Sequence, residues 1–184
     1  GKTAVWFYGG GFLSNDASEA SMAQMLGMNL QRGTPQPGTV TPDPAAAGLA
    51  EGLTKAFGGE TVLDPIWSVT DADAGILGRY ADGTSAVASR QTPDGLRVYI
   101  GALNCPARLL RNVLKAGGVH LYSDSDDVIL ADEHFLAVTA TSEGAKTISL
   151  PRRCKVTSVP DGALIAEAAE TLSMEMKLGE TRLF

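Results

Sequence analysis

The stretch AVWFYGGGFLSND, residues 4–16, carries the strongest local signal for the fold. Its first residues, Ala4 to Tyr8, are all apolar or aromatic and predict a strand that is buried on both faces, as in a parallel sheet. The glycines at 9–11 follow directly, which is close to the turn that lipases and esterases use as an oxyanion hole. Two hypotheses follow: a hydrolase active site, or a strand followed by a turn of permissive backbone.

Composition argues against several classes of function. The chain has 184 residues, a net charge of −6 and a pI near 4.9. No basic cluster larger than Arg152-Arg153 is present, so we expect no nucleic-acid partner. No apolar run approaches the ~18 residues of a transmembrane helix, so we expect no membrane partner either. Cys105 and Cys154 have neither metal-ligand spacing nor a CxxC pair, and the cellular compartment therefore stays open.

Residues 1–120 show mixed helix and strand patterns. Residues 18–30 predict a helix capped by Ser18, and residues 107–117 predict a second, strongly amphipathic helix. The intervening residues 33–48 carry four prolines and three glycines, too many for a regular element. Further on, TPDG at 92–95 predicts a hairpin turn between two strands. From His120 onward, short β runs alternate with turns, which is typical of a small antiparallel sandwich.

Each catalytic hypothesis lacks a required part. An esterase needs a GxSxG elbow and a histidine, but no such elbow occurs, and the histidines are His120 and His134. Cys105 lies between a predicted strand and a predicted helix, where a helix N-terminus lowers a thiol pKa, but the flanking glycines of an amidotransferase elbow are missing. The run Asp124 to Asp127 resembles a calcium loop without its glycine. We therefore predict no catalytic residue, no metal site and no cofactor, with Cys105 as a weak candidate thiol.

Aromatic residues supply one binding hypothesis. Trp67 follows Pro65 in a predicted loop, so it is the best candidate for an exposed ring that stacks on a sugar. Trp6 and Tyr99 lie in apolar strand patterns and are expected in the core.

Several segments taken in order resemble a known arrangement. GKTAVWFYGGGFLSNDASEASMAQMLGMNL (1–30), DADAGILGRYADGTSAVASRQTPDGLRVYIGA (71–102) and PARLLRNVLKAGGVH (106–120) resemble the trimerisation domain of β-galactosidases of glycoside hydrolase family 42. DEHFLAVTATSEGAKTISLPRRCKVTSVPDGALI (132–165) and LGETRLF (178–184) are similar to the small antiparallel C-terminal domain of that family. Each motif is weak alone, and their shared order carries the resemblance.

The resemblance implies a fold and a role. Residues 1–120 are expected to form an incomplete α/β domain, flavodoxin-like and similar to class I glutamine amidotransferases, and residues 121–184 a small all-β domain. The implied role is non-catalytic support or oligomerisation. The implied partners are a catalytic barrel of the parent chain, which in the family holds the catalytic glutamates, and further copies in a homo-oligomer. Two alternatives stay open: a carbohydrate-binding accessory module, and a degenerate amidotransferase-like enzyme that uses Cys105.

Overall fold

The computed structural model describes residues 1–13, 17–46 and 48–184. The end of the opening stretch, Ser14 to Asp16, lies outside the described residues. The chain divides into two compact units, unit 1 (Gly1–Val119) and unit 2 (His120–Phe184).

Unit 1 is built mainly from strands. In chain order they are β1 (Ala4–Phe7), β2 (Leu30–Gly33), β3 (Gln36–Pro37), β4 (Thr41–Pro42), β5 (Val62–Leu63), β6 (Ile66–Val69), β7 (Gly75–Arg79), β8 (Ser85–Thr92) and β9 (Gly95–Ile100). The helices of the described residues are α1 (Glu19–Leu26), α2 (Ala107–Ala116) and a short 3-10 helix (Gly48–Ala50). The central sheet has the order β1-β9-β8-β7-β4, and the pairs β2-β6 and β3-β5 form separate ribbons.

The predicted flavodoxin-like, amidotransferase-like α/β fold is wrong. That fold alternates parallel strands with crossover helices. In the described part of unit 1, only β1 and β9 pair in parallel, while β4, β7, β8 and β9 pair antiparallel. The apolar run Ala4 to Tyr8 predicted a strand buried on both faces, but β1 lies at the edge of the sheet, Phe7 is exposed, and the other residues of β1 are only half-buried. An apolar run also does not specify the direction of a neighbouring strand. Short loops between residues 75 and 100 allow consecutive strands to pair as antiparallel neighbours.

The central sheet is covered on both faces. On one face, sheet residues such as Val87, Val98 and Ile100 are buried together with Leu109 and Val113 of α2. On the other face, Ala88 and Tyr99 pack in one cluster with residues of α1, β2 and β6 (Met22, Leu26, Leu30, Trp67 and Val69). The sheet therefore forms the middle of three layers, and aromatic residues of β6 and β9 share the second core.

Local signals were predicted more accurately than the topology. Ser18 caps α1, because its hydroxyl accepts a hydrogen bond from the backbone amide of Ser21 at 3.1 Å. The helix ends earlier than predicted, since Gly27 adopts the left-handed conformation at φ 71° and closes it. The hairpin turn before β9 is confirmed, and Gly95 is required there (φ 136°) because a Cβ would collide with the backbone of Lys2.

Unit 2 is antiparallel throughout its described strands. These are β10 (Val128–Ala131), β11 (Leu136–Thr139), β12 (Gly144–Thr157), β13 (Leu164–Met176) and β14 (Thr181–Leu183). A three-stranded sheet of order β10-β11-β14 packs with the long β12-β13 hairpin. Their shared core consists of Leu136, Val138, Ala140, Ile148, Val156, Leu172 and Met176. Short β runs that the sequence predicts as separate strands merge in pairs into the long strands β12 and β13. The run around His120, also predicted as a strand, does not form one.

Candidate functional site

The glycine turn after β1 is closed by its own hydrogen bonds. The amide of Gly10 donates to the Phe7 carbonyl at 3.2 Å, and the amide of Phe12 donates to the Gly9 carbonyl at 3.0 Å. The Tyr8 amide is also engaged, because it donates to the Ile100 carbonyl at 2.8 Å. These amides are thus not available to an oxyanion, and residues 4–13 of the opening stretch form a strand followed by a turn.

Three tyrosines, Tyr8, Tyr80 and Tyr99, lie close enough to influence one another's pKa. The Tyr8 hydroxyl donates to the Pro65 carbonyl. The Tyr80 hydroxyl lies against Gly101, where a Cβ would collide with it. Burial raises the pKa of Tyr80 and of Tyr99 well above the ordinary value, and neighbouring tyrosines raise both further. These two phenols therefore stay neutral and are not suited to act as bases at neutral pH.

Trp67 lies in the core rather than in the predicted loop. It belongs to β6, its exposed fraction is 2%, and its ring lies 5.3 Å from that of Phe12, centroid to centroid. The loop assignment failed because Pro65 precedes β6 instead of interrupting it. A sugar ring can reach this indole only if the core opens, so the stacking role stays a prediction without structural support.

Cys105 has the features of a structural thiol. It is half-buried, and its Sγ lies 3.5 Å from the Pro106 carbonyl, to which the thiol donates. Burial raises the pKa of Cys105, and the contact with the Leu110 backbone offsets this only in part. Both histidines of the sequence lie outside unit 1, in unit 2. The thiol therefore lacks the lowered pKa that a cysteine nucleophile needs, and a chemical role for Cys105 stays a prediction.

Acidic side chains of unit 1 are engaged in ion pairs. Arg90 binds Asp71 at 3.2 Å and Asp73 at 2.9 Å, and Arg79 binds Asp43 at 3.0 Å. Within residues 1–13, 17–46 and 48–184, no group of three histidine, cysteine or acidic side chains is placed to hold a metal ion. Nor does any helix in the described part of the chain have the length and apolarity to span a bilayer.

The calcium-loop-like run in unit 2 contains a buried ion pair instead. The Asp127 carboxylate accepts from Lys146 Nζ at 2.9 Å, from Ser125 Oγ at 2.6 Å and from the Thr141 amide at 2.9 Å. Burial by itself raises the pKa of Asp127, but these hydrogen bonds outweigh it and lower the pKa to about 2. The carboxylate is thus saturated by protein donors.

Unit 2 also contains an open cleft that sequence reasoning missed. The cleft has a volume of about 500 Å³, and we call it the unit 2 cleft. Its lining combines apolar, aromatic and charged side chains, among them Tyr122, Glu133, Phe135, Leu136, Arg152, Lys155, Val156, Leu172 and Phe184. These residues come from separate segments of the chain, so no spacing motif connects them in the sequence. The one visible signal was an aromatic residue in the turn sequence DEHF at 132–135.

Solved structures with a similar fold are β-galactosidases. Gan42B, a β-galactosidase of glycoside hydrolase family 42, superposes with a TM-score of 0.60 at 15% identity, covering 100% of this chain and 28% of that one. The chain folds like part of a family 42 β-galactosidase. The enzyme of Bacillus circulans sp. alkalophilus gives a TM-score of 0.59 at 13% identity, over 100% of this chain and 29% of that one. The cold-adapted enzyme of Rahnella sp. R3 gives 0.51 at 12% identity, over 99% and 28%.

These comparisons confirm the resemblance stated from the sequence at the level of the fold. The chain spans less than a third of the length of each of these three β-galactosidases. No protein-family model matches the sequence, and no curated protein matches it significantly.

Proposed function

We propose that the chain is a non-catalytic accessory region of a larger glycoside hydrolase that acts on β-galactosides. The observation that carries the proposal is coverage: the whole chain superposes on less than a third of each of three β-galactosidases. A region of that size adjoins a much larger remainder in those proteins. The role we assign to this chain is to support and assemble a catalytic barrel elsewhere in the same polypeptide.

The chemistry of the described side chains agrees with such a role. The thiol of Cys105 has a raised pKa, and the Tyr80 and Tyr99 phenols stay neutral. The Gly10 and Phe12 amides of the turn after β1 are bonded within the protein. These groups are therefore engaged or poorly reactive, which supports a scaffold role.

Unit 1 also presents features suited to association. β1 lies at the edge of the central sheet, and an edge strand offers unpaired backbone groups to another chain or domain. Phe7 at the end of β1 is exposed, as are Leu13 and Met25. An edge strand that carries an exposed apolar side chain is a surface on which another chain can pair. These features support a family-like cyclic trimer, in which each copy contacts the next through two different surfaces.

The catalytic part of the proposal is tested by comparing two proteins. One is the 184-residue chain, and the other is the full-length product of the gene that encodes it. We expect the full-length protein to hydrolyse nitrophenyl β-galactoside and the chain alone to leave it intact. Turnover by the chain alone at a glycosidase rate would refute the non-catalytic role. A full-length protein that hydrolyses no galactoside would refute the substrate class.

The assembly part is tested by light scattering on the full-length protein. We expect a homo-oligomer, and we expect Phe7→Lys to shift it toward monomer because a charge at the edge of β1 opposes burial. Leu130→Lys, at an exposed apolar position of unit 2, is the matched control and should leave the mass unchanged. A monomeric full-length protein, or equal effects of the two variants, would contradict an assembly role for unit 1.

A further inference from the structure

We propose that the unit 2 cleft is a binding site for a short neutral saccharide. In this site, Phe135 stacks on the apolar face of a sugar ring, and the charged groups of the rim hydrogen-bond its hydroxyls. The proposal concerns unit 2 alone. It does not depend on the activity of a larger protein or on the role of unit 1.

The floor of the cleft is preformed. Leu136, Val156 and Leu172 line it, and all three belong to the buried core of unit 2. They lie on β11, β12 and β13, so the floor is held by paired strands rather than by a loop. A ligand therefore meets an apolar surface that needs no ordering, which lowers the entropic cost of binding. The volume of about 500 Å³ lies within the usual range for small-molecule sites.

Phe135 is an exposed aromatic ring on a rigid turn. Its exposed fraction is 56%, although it directly precedes β11. The turn is fixed by Asp132, whose carboxylate accepts from the amides of His134 at 2.7 Å and Phe135 at 2.8 Å. The Asp132 amide donates back to the Phe135 carbonyl at 3.0 Å. An apolar ring held in solvent at the edge of a cleft is suited to stack on a ligand that has an apolar face.

The rim of the cleft offers both signs of charge. Arg152, Lys155 and Glu133 line it, and none of them forms an ion pair with another described side chain. Arg79 and Arg90 of unit 1, in contrast, are both paired. The rim groups therefore keep their hydrogen-bonding capacity for a ligand.

This mixture of groups selects among ligand classes. A sugar hydroxyl both donates and accepts, so it can bond the Glu133 carboxylate as well as the Arg152 and Lys155 cations. An anionic ligand that is attracted by Arg152 and Lys155 is opposed by Glu133 and Asp132, so charge gives it no advantage over a neutral ligand. A purely apolar ligand would desolvate the charged groups without replacing their hydrogen bonds. A neutral sugar ring can contact the apolar floor, stack on Phe135 and hydrogen-bond the charged groups of the rim at the same time.

The experiment is a titration of the isotope-labelled 184-residue chain, followed by backbone amide NMR. The probes are lactose, cellobiose, maltose and their neutral trisaccharide homologues, with a sulfated heparin disaccharide as the anionic probe. We expect saturable shifts at residues 132–136 and 150–157 with at least one neutral probe, at a Kd of about 0.1–1 mM, equivalent to roughly −5 kcal/mol. We expect weaker or no binding of the anionic probe.

Matched variants locate the site. Phe135→Ala should weaken binding about tenfold and Phe135→Tyr should retain it, because the stacking surface is lost in the first and kept in the second. Arg152→Ala should weaken binding several-fold, whereas Arg153→Ala, at the neighbouring position that does not line the cleft, should not. The amide signal of buried Val138 reports that each variant is folded.

Four results would overturn the proposal. These are no saturable shift with any neutral probe, shifts confined to residues outside the cleft, unchanged affinity in Phe135→Ala, and tighter binding of the sulfated probe than of every neutral one.

Discussion

The buried ion pair of unit 2 yields a prediction about stability. Lys146 and Asp127 have side-chain exposures of 5% and 0%, and their charged atoms lie 2.9 Å apart. Lys146→Met keeps most of the side-chain volume but leaves the Asp127 carboxylate buried without its cation. Loss of one partner of a buried pair typically costs about 3–5 kcal/mol. Domains have stabilities of about 0.05–0.15 kcal/mol per residue, which gives roughly 3–10 kcal/mol for unit 2. We therefore expect Lys146→Met to remove a large part of its stability.

The assay must report on unit 2 separately. Both tryptophans, Trp6 and Trp67, lie in unit 1, so tryptophan fluorescence does not report on unit 2. Amide hydrogen exchange with peptide-level mass spectrometry in increasing urea follows each unit by its own peptides. Arg182→Met is the control, because its ion pair with Glu180 is partly exposed (40% and 31%) and should contribute about 0–1 kcal/mol.

A double variant distinguishes pair energy from loss of packing. Lys146→Met combined with Asp127→Asn removes both charges, while an amide oxygen can still accept from the Thr141 amide. We expect the double variant to be more stable than the sum of the single changes predicts, by at least about 1 kcal/mol. A cost below about 1 kcal/mol for Lys146→Met, or strictly additive effects in the double variant, would refute the reasoning.

Three further predictions follow from other groups. Because the pKa of Asp127 is lowered to about 2 in the folded chain, its carboxylate contributes about 2 kcal/mol to the free energy of unfolding. This contribution is present above about pH 4 and is lost as the pH falls toward 2. The difference in stability between the chain and Asp127→Asn, measured by hydrogen exchange, should therefore shrink over that interval. Gly101→Ala should destabilise unit 1 by about 1–3 kcal/mol, because the new methyl group meets the Tyr80 hydroxyl. Urea melts followed by tryptophan fluorescence measure this loss, and Tyr80→Phe in the same chain should restore part of it. Cys105, studied in a Cys154→Ser background, should react with iodoacetamide at neutral pH at least about tenfold more slowly than in the urea-unfolded chain. A rate equal to that of the unfolded chain would contradict its half-buried, protonated state.

Features governed by neighbouring residues were predicted well from the sequence. The hydroxyl of Ser18 satisfies an amide in the first turn of α1, so the cap depends on residues three positions apart. Gly95 ends a hairpin turn for a local reason as well, because its φ of 136° is a conformation that residues with a side chain rarely adopt. The amphipathic pattern of residues 107–117 predicted α2 with its buried Leu109 and Val113.

Features that depend on distant contacts were not predictable in this way. The parallel pairing of β1 with β9, the burial of Trp67 between layers, and the placement of Phe135 and Arg152 in one cleft each depend on residues that are not neighbours in the chain. The order of the motifs along the chain suggested the resemblance to family 42 β-galactosidases, and the similarity of fold confirmed it. The α/β architecture that we expected from the resemblance was wrong.

The sequence by itself determined where α1 begins, where α2 lies and where the turn before β9 falls. Those properties arise from backbone geometry and side-chain chemistry within a few residues. Only the tertiary structure decided the direction in which each strand meets its neighbour, which aromatic rings remain in solvent, and which charged groups keep free hydrogen-bonding capacity. These outcomes depend on which long-range pairings bury the available apolar surface most favourably, and a local sequence pattern does not specify those pairings.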